Sequence, residues 1–373
     1  MRKRLLIITD EMEVGGTQRQ IVEMATHADR SNFDISLVYF RNDSPYVDEL
    51  RAGGVEVTCI RKHWKADPFF FIRLCRFMRN GEFDLVHAFS FGGEFWGWLA
   101  NLFSGRAQFI GSARSTYEWY SPLQWWIKRI ITLNSAALIA NSHAGAEYAA
   151  LRMGIRRNSV QVVHNGLRVP AEIGRTLDLR ATRKDGLYRI LFVGRLVEHK
   201  NVQCLARAFG IVAEKLAHAR LEIIGDGPDR AAMEGMMTAL GLSGRVTFHG
   251  ERNDVAPFLE AADVFACTSH REGLSNAIME AMGAGLPVIA SNVGGNSELI
   301  EHEATGLLFP PDDHDSLAAM LIELERDPAR RQAIGESACE RIRRFHDPRR
   351  MAAELERIYE RCLLEENACA VER

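Results

Sequence analysis

The chain has 373 residues, of which 47% are hydrophobic and 25% charged, and its formal net charge at pH 7 is -3. This is ordinary globular composition, and it excludes a wholly disordered chain, a collagen-like chain and a small disulfide scaffold. The near-neutral charge gives no bulk attraction to nucleic acid, so no nucleic-acid partner is expected. The 7 cysteines are odd in number and scattered without a CxxC pair, which favours a reduced, cytoplasmic compartment.

The first residues are basic, as in a signal peptide, but the apolar run that follows them is short. It extends only from Leu5 to Ile8 before Asp10 and Glu11 close it. A secretory leader needs about 7–15 apolar residues, so this run is expected to be a first buried strand. No stretch reaches the ~20 apolar residues of a spanning helix, and the chain is expected to be soluble or peripheral on the cytoplasmic face of a membrane.

Short β-branched and aromatic runs alternate with helical stretches along the whole chain. Many of these runs lack period-2 alternation, as expected for strands that are buried on both faces. Such alternation predicts parallel sheets covered by helices, and a single sheet would be unusually large, so two doubly wound α/β domains are expected. The predicted strands are Leu5–Thr9, Ile35–Phe40, Val55–Ile60, Leu85–Phe89, Phe109–Ala113, Leu138–Asn141, Val160–His164, Ile190–Val193, Leu221–Ile224, Val246–His249, Val264–Thr268, Pro287–Ala290 and Gly306–Phe309.

The boundary between the domains is expected in a charged segment with Pro170, Gly174 and Gly186 and little apolar pattern. The predicted domains are residues 1–170 and 188–347, joined by a linker over residues 171–187. Beyond Pro348 the run Met351–Glu365 is helical in pattern, and no strand follows it. This helix must dock on a domain that is already built.

Ligands of open parallel sheets bind at the carboxyl ends of the strands. After the first predicted strand, Gly15 and Gly16 allow close approach of a ligand, and the helix beyond them offers amides to an anion. The alternative is that these glycines only shape a tight turn. Neither a GxGxxG fingerprint nor a Walker A sequence is present.

Arg195 directly follows a predicted strand, and Lys200 comes just before the next helix. Two fixed cations at such a position suit a diphosphate, because an Arg fork and a Lys point charge neutralise it together. The alternative is a solvated loop with ordinary surface charges.

The segment Thr268–Ala290 carries two glutamates around a predicted helix start near Ser275. Glu272 precedes the helix and Glu280 lies on its second turn, so their Cα atoms are at most about 12 Å apart. This spacing is too long for two carboxylates that share a proton, but it spans the two ends of an extended ligand, with helix amides between them. Alternatively, Glu272 complements the helix dipole and Glu280 is a surface residue.

This segment resembles the retaining glycosyltransferases of the GT4 type, whose hallmark is two glutamates separated by seven residues. The resemblance implies the GT-B fold: two Rossmann-like doubly wound parallel-sheet domains that face each other across a cleft. It also implies that residues 348–373 form a helix that returns to the first domain. Further matching segments, in family order, are Gly15–Thr17, Val163–Leu167, Val193–Leu196, Lys200–Asn201, Ile224–Pro228 and Val293–Glu298.

The resemblance also implies roles for individual residues. Gly16 would approach the donor diphosphate from the first domain, and Arg195 and Lys200 would hold it from the second. Glu272 would bond hydroxyls of the donor sugar and Glu280 those of the ribose. Glu272, Arg195 and Lys200 are the catalytic residues implied. The implied donor site comprises Gly15, Gly16, Arg195, Lys200, Glu272, Gly273, Leu274, Ser275, Asn276, Ala277 and Glu280.

Similar enzymes move a sugar from a nucleotide-sugar donor, with UDP or GDP as the nucleotide, to a hydroxyl of a saccharide or lipid-linked acceptor. They retain the anomeric configuration and need no metal or other cofactor, and many serve polysaccharide or glycolipid synthesis. Two alternatives stay open. One is a non-hydrolysing nucleotide-sugar epimerase of the same fold, and the other is a catalytically silent nucleotide-sugar-binding protein.

The sequence departs from the family at one point on the acceptor side. Many relatives place a His at the end of a first-domain strand, whereas Phe109–Thr116 contains none. Arg114 either serves the site or only lies near it. His87 matches a His that is common in the fourth strand region of the family, but a buried structural His is the alternative.

The stretch Trp119–Ile131 is both aromatic and basic. Such composition favours membrane interfaces, so Trp125 and Trp126 are candidate acceptor-side residues that could meet a lipid-linked acceptor. The alternatives are an acceptor groove and a helix packed into the first domain.

No metal site is expected. Asp313-His314-Asp315 spells the DxD of metal-dependent transferases of another fold, but its place before a helix is explained by capping.

Overall fold

The structure is a computed structural model that describes residues 2–64, 66–105, 107–115, 120–169 and 185–371. The chain divides into two units, which are Met1–Gly166 with Pro348–Arg373 (unit 1) and Leu167–Asp347 (unit 2). Most of the predicted linker over residues 171–187 lies outside the described residues, as do Thr116 and Trp119.

Unit 1 is built on a seven-stranded sheet in which every described pairing is parallel, in the order β3-β2-β1-β4-β5-β6-β7. Its strands are β1 Lys3–Glu11, β2 Phe33–Arg41, β3 Glu56–Cys59, β4 Leu85–Ala88, β5 Gln108–Ala113, β6 Ala137–Ala140 and β7 Val160–Val162. Its helices are α1 Gly16–His27, α2 Pro45–Ala52, α3 Pro68–Gly81, α4 Phe91–Ser104, α5 Pro122–Leu133, α6 His143–Met153 and α14 Pro348–Val371.

Both faces of this sheet are covered by helices. Along β1, Leu5 and Ile7 join a core cluster with residues of α1, α2 and α14, whereas Leu6 and Ile8 join a cluster with residues of α3, α4 and α5. Successive side chains of a strand point to opposite faces, so these two clusters lie on the two sides of the sheet.

The last helix of the chain, α14, docks on the first core cluster of unit 1. Met351, Leu355 and Tyr359 are buried there. The Tyr359 ring meets Phe33 edge-on with centroids 5.8 Å apart, and its hydroxyl lies 2.7 Å from His87 Nδ1. The predicted helical run Met351–Glu365 thus packs its apolar side chains against α1 and the sheet of unit 1.

Unit 2 is built on a six-stranded parallel sheet in the order β10-β9-β8-β11-β12-β13. Its strands are β8 Tyr188–Val193, β9 Ala219–Ile224, β10 Val246–Phe248, β11 Val264–Cys267, β12 Val288–Ser291 and β13 Leu307–Phe309. Its helices are α7 Val202–Lys215, α8 Arg230–Ala239, α9 Ala256–Ala261, α10 Asn276–Gly283, α11 Asn296–Leu299, α12 His314–Arg326 and α13 Pro328–Phe345.

The two strand orders confirm the predicted pair of doubly wound, Rossmann-like parallel sheets. Each of the predicted strands overlaps a strand of the described residues. Helix α7 ends at Lys215, and Ala219 already begins β9, where it pairs with Tyr188.

A fully buried ion pair joins α4 to α5 inside unit 1. Lys128 Nζ lies 2.6 Å from Glu94 Oε2, and each side chain is 1% exposed. Ser112 N donates to Glu94 Oε1 at 2.8 Å, and Lys128 also donates to Ser112 O at 2.9 Å. Burial raises the pKa of Glu94, while Lys128 opposes that shift. The pair therefore depends on mutual charge compensation.

We expect Lys128→Met to lower the free energy of unfolding by about 3–5 kcal/mol, because it leaves the buried Glu94 carboxylate without its counter-charge. The double variant Glu94→Gln/Lys128→Met removes both charges and keeps an acceptor for Ser112 N, so it should recover much of that loss. Denaturant unfolding measures both. Equal losses in the two variants would show that packing of the lysine arm, and not charge pairing, is what matters.

Candidate active site

The loops after β8 and β11 lie side by side in unit 2. These two strands are neighbours at the point where the strand order reverses, and ligands of doubly wound sheets bind outside that point. The first loop carries Arg195 and Lys200, and the second carries Glu272. Lys200 Nζ donates to Glu272 Oε1 at 2.5 Å, with the side chains 20% and 11% exposed. Two predicted site residues, far apart in sequence, are therefore in direct contact.

Neighbouring polar groups hold this pair in place. Ser269 Oγ donates to the same Glu272 oxygen at 2.7 Å. Thr268 Oγ1 donates to the Lys200 carbonyl at 2.9 Å, and His270 N donates to the His199 carbonyl at 2.8 Å. The two loops are thus joined through both side chains and backbone.

The charge on Lys200 is secured by its partner. Burial alone would lower the pKa of Lys200, but the Glu272 carboxylate and, to a smaller extent, Cys267 together raise that pKa above its usual value. An ammonium has three donors, and Glu272 takes one of them, so donors remain for an anionic ligand. Burial and Lys200 lower the pKa of His199, which leaves Arg195 and Lys200 as the cations of this loop at neutral pH.

The Gly225-Asp226-Gly227 segment supports the loop that carries Arg195. The Arg195 side chain is exposed. Gly225 has φ +126 and a Cβ there would lie 2.0 Å from the Gly194 carbonyl oxygen. Gly227 has φ +155 and a Cβ would lie 2.3 Å from the Leu196 oxygen. Leu196 N in turn donates to Asp226 O at 2.9 Å. Only glycine permits this close approach of two backbones.

The Gly294-Gly295 pair supports the Glu272 loop in the same way. A Cβ at Gly294 would lie 2.0 Å from the backbone carbonyl oxygen of Glu272. A Cβ at Gly295 would lie 1.9 Å from the backbone carbonyl oxygen of Gly273. The backbone position of Glu272 is therefore fixed by contact with a second loop of unit 2.

Helix α10 begins directly after this loop. The Ser275 hydroxyl caps it by accepting from Ile278 N, and Gly273, Leu274 and Ser275 are buried. Asn276 and Ala277 form the half-buried first turn, whose end presents amides to an anion. Glu280 is half-buried further along the same helix. All the predicted donor-site residues of unit 2 thus lie on two adjacent loops and the helix that follows.

Sequence reasoning missed Asp312, which links the two loops from the end of β13. Its Oδ1 lies 2.7 Å from His270 Nε2 and accepts from Asn201 Nδ2 at 2.8 Å. The available signal was its place after a strand, at the edge where the other loops meet. The next residue, Asp313, caps α12 by accepting from Ser316 N at 2.9 Å, which confirms the capping interpretation of the DxD sequence.

The predicted residues of unit 1 lie on its own sheet edge. Gly15 is the N-cap of α1 and Gly16 its first residue. Arg114 follows β5, where its Nη2 donates to Asn165 Oδ1 at 2.7 Å and its guanidinium lies 5.7 Å from the centre of the Phe89 ring.

His87 is only 1% exposed, and both of its ring nitrogens have partners within unit 1. Nδ1 lies 2.7 Å from the Tyr359 hydroxyl and Nε2 lies 2.9 Å from Ser112 Oγ. Burial, with a contribution from Arg114, lowers the pKa of His87 to about 3. A neutral ring with both nitrogens in use fits the structural alternative rather than contact with an acceptor.

The two candidate tryptophans of α5 have opposite environments. Trp125 is 4% exposed and lies against Tyr120 and Tyr148, with ring centroids 5.4 and 5.9 Å away. Trp126 is 58% exposed. Trp125 is therefore a core residue, and Trp126 is the one that can meet a partner.

The two parallel sheets and the loop cluster at the strand-order reversal define a protein of the GT-B class. Two solved structures show the same fold. Anabaena Alr3699/HepE, solved with UDP-glucose, superposes with TM-score 0.82 at 20% identity over 95% of this chain and 98% of that one. Sucrose-phosphate synthase from Thermosynechococcus elongatus superposes with TM-score 0.77 at 20% identity, over 98% of this chain and 100% of that one.

Family models match both halves of the chain. The model for glycosyl transferases group 1 matches residues 176–341, and that for glycosyltransferase family 4 matches residues 14–169. The protein belongs to the group 1, family 4-type glycosyltransferases. No helix in the described ranges is both long and apolar enough to cross a membrane.

Curated relatives match parts of the chain and are named as glycosyltransferases or as a synthase. LpsD of Rhizobium meliloti, named as a lipopolysaccharide core biosynthesis glycosyltransferase, is 34% identical over 50% of this chain and 53% of its own length. An Escherichia coli enzyme named UDP-Gal:alpha-D-GlcNAc-diphosphoundecaprenol alpha-1,3-galactosyltransferase is 26% identical over 84% of this chain and 86% of its own length. N-acetyl-alpha-D-glucosaminyl L-malate synthase of Bacillus anthracis is 29% identical over 46% and 44%. The chain thus matches about half the length of LpsD and of the malate synthase.

We expect Gly295→Ala to displace the Glu272 loop, because the new methyl group would overlap the Gly273 carbonyl. Overpacking of this kind costs about 1–3 kcal/mol, measurable by thermal unfolding, and a crystal structure would show the shifted loop. Gly235→Ala is the matched control, since a Cβ there meets nothing within 4 Å and lies on α8 of the same unit. A Gly295→Ala protein with wild-type stability and an unmoved loop would contradict the supporting role.

Proposed function

We propose that the protein is a retaining, metal-independent glycosyltransferase that moves a sugar from a nucleotide-sugar donor to a hydroxyl of a saccharide or lipid-linked acceptor. The observation that carries this proposal is the contact of Lys200 with Glu272 beside the first turn of α10. One loop cluster thereby holds a secured cation, a carboxylate and helix amides. These are the groups that a sugar joined to a diphosphate requires.

Each residue has a role that matches its surroundings. Arg195 and the free donors of Lys200 hold the diphosphate, and Glu272 accepts hydrogen bonds from hydroxyls of the donor sugar. Glu280, further along α10, binds the ribose hydroxyls at the other end of the donor.

In the proposed reaction, the bond between the anomeric carbon and the diphosphate oxygen breaks, and negative charge develops on the leaving diphosphate. Lys200 and Arg195 stabilise that charge. The acceptor hydroxyl attacks on the same face and passes its proton to an oxygen of the leaving phosphate. The products are a glycoside of retained configuration and a nucleoside diphosphate. Lys200 and Ser269 both bind one oxygen of Glu272, which favours hydrogen bonding by this carboxylate over nucleophilic attack.

Metal independence is supported by the charge already present at the proposed diphosphate position. The pKa of Lys200 is raised, so its ammonium is retained at neutral pH, and the Arg195 guanidinium is charged at any physiological pH. These two cationic groups can stabilise a leaving diphosphate directly, although the Glu272 carboxylate that pairs with Lys200 leaves the three side chains with a net charge of +1.

The names of the relatives support a role in surface polysaccharide or glycolipid synthesis. LpsD is named for lipopolysaccharide core synthesis, and the Escherichia coli relative is named for a diphosphoundecaprenol-linked acceptor. By extension, we place the reaction on the cytoplasmic face of a membrane, with a lipid-linked acceptor.

Calorimetric titration with UDP, GDP, ADP and NAD, each with EDTA present, tests the donor site. We expect one nucleoside diphosphate to bind without metal and NAD not to bind. Glu280→Ala should weaken that binding, whereas Glu251→Ala, at an exposed glutamate of the same unit, should leave it unchanged. Binding that appears only when a divalent cation is added would refute metal independence. Unchanged affinity of Glu280→Ala would refute the ribose role.

Lys200→Ala should reduce kcat/KM on the order of 10²–10³-fold, because it removes a charge that stabilises the leaving diphosphate. Lys215→Ala, at an exposed lysine of the same unit, is the matched control and should keep wild-type turnover. Thermal unfolding of both variants separates loss of catalysis from loss of fold. A Lys200→Ala enzyme with wild-type kcat/KM would remove the diphosphate assignment.

NMR of the reaction separates the proposal from its two alternatives. A retaining transferase gives a glycoside with the anomeric configuration of the donor. A donor that changes its sugar in the absence of any acceptor would identify an epimerase. Tight donor binding with no turnover across saccharide and lipid-linked acceptors would identify a silent binding protein.

A further inference from the structure

The outer surface of α3, α4 and α5 in unit 1 is unusually apolar. Helices that cover a sheet normally turn polar residues to solvent. In the described residues, the other exposed large hydrophobic side chains are distributed singly over both units, at Val14, Leu151, Leu240, Phe345 and Leu364. On these three helices and the loop before α3, by contrast, the exposed set is Trp64, Phe69, Ile72, Leu102, Phe103, Leu123, Trp126 and Leu133. We call this set, with the arginines described below, the aromatic-basic face.

The three helices form one packed layer, so these side chains share a single surface. Phe71 of α3 meets Phe103 of α4 edge-on at 5.8 Å, and Arg79 Nη2 donates to the Phe103 carbonyl at 3.1 Å. The buried pair of Glu94 with Lys128 fixes α4 to α5. The spacing of Leu123, Trp126, Ile130 and Leu133 places them along one side of α5.

Among the described residues, the exposed charge of the aromatic-basic face is mainly positive, and Glu82, which follows α3, is its one exposed acid. Arg61, Arg73, Arg76 and Arg79 are exposed on α3 and the loop before it, and Arg129 is exposed on α5. The acidic residue at the start of α3, Asp67, is 1% exposed, and its carboxylate caps the helix by accepting from Phe70 N at 3.0 Å. Glu94 is buried against Lys128. This positive surface stands out in a chain whose net charge is -3.

We propose that the aromatic-basic face docks on the surface of an anionic lipid bilayer. Aromatic and aliphatic side chains rimmed by arginines suit the boundary between headgroups and acyl chains, where the rings insert and the guanidiniums pair with lipid phosphates. The excess of arginines, five against the single exposed Glu82 in the described part of this face, favours lipid phosphates over a protein surface of mixed charge. The purpose of docking rests on the proposed function, since a lipid-linked acceptor would be met at that surface. The docking itself depends only on unit 1.

Co-sedimentation of the purified full chain with vesicles tests the proposal. We expect binding to phosphatidylcholine vesicles that contain phosphatidylglycerol, weak binding to phosphatidylcholine alone, and loss of binding as salt rises well above about 0.1 M. Each basic residue near an anionic surface changes partition about fivefold, so Arg61→Glu/Arg76→Glu should reduce it at least about tenfold. Phe69→Ser/Ile72→Ser should reduce partition at every salt concentration.

The matched controls are Arg252→Glu for charge and Leu151→Ser and Leu240→Ser for apolar exposure, all exposed and outside the aromatic-basic face. They should bind vesicles as the wild type does. Equal binding of the wild type to neutral and anionic vesicles, or unchanged binding of both double variants, would overturn the proposal. The wild type could instead fail to bind vesicles and self-associate in sedimentation velocity. If the Phe69→Ser/Ile72→Ser variant abolishes that self-association, the face is a contact between copies of the chain.

Nucleotide titration of the same variants keeps this proposal distinct from the proposed function. None of the substituted residues belongs to the donor site, so nucleotide affinity should stay at the wild-type level. A wild type that binds anionic vesicles but no nucleotide would count against the transferase and leave the docking surface intact. A wild type that binds nucleotide but no vesicles would overturn the docking surface and leave the proposed transferase intact.

Discussion

A parallel sheet is stable in water only when helices cover both of its faces, and this requirement determines where the chemistry of the protein lies. In the described residues, every strand except β7 is followed by a helix, and because the strands of each sheet are parallel, their carboxyl ends gather at one edge. In unit 2 the order reverses between β8 and β11, and their two loops meet there. The contact of Lys200 with Glu272 follows from that topology, although the two residues are 72 positions apart.

Much of this architecture can be predicted from the sequence, because strands buried on both faces leave apolar runs that helices separate. The strand Leu5–Thr9 lies within the observed Lys3–Glu11 for that reason. Single-residue environments cannot be predicted in the same way. Trp125 and Trp126 are adjacent and chemically identical, yet the rotation of α5 against its neighbours buries one and exposes the other. The burial of His87 likewise depends on Tyr359, which comes from the far end of the chain.

The glycines of the candidate site show a second limit of sequence reasoning. A glycine-rich loop after a strand suggests close approach of a ligand, but Gly225, Gly227, Gly294 and Gly295 each allow close approach of another backbone segment. Their contacts fix the loops that carry Arg195 and Glu272. The motifs therefore lie at the candidate site, where these glycines support the loops that carry its charged side chains. Asp312 adds a similar link through Asn201 and His270, without any motif.

Two lysine–glutamate pairs of nearly equal length show how burial separates a structural role from a functional one. Lys128 donates to both oxygens of Glu94 and to the Ser112 carbonyl, which accounts for its three donors, and the pair is 1% exposed on each side. Within the part of the chain that the structure describes, Lys200 donates once, to Glu272, and remains 20% exposed. The first pair has no donor left for a ligand, whereas the second keeps its charge through Glu272 and still has donors to offer. The same carboxylate therefore serves the proposed site twice, as an acceptor for hydroxyls and as the group that keeps the neighbouring ammonium charged.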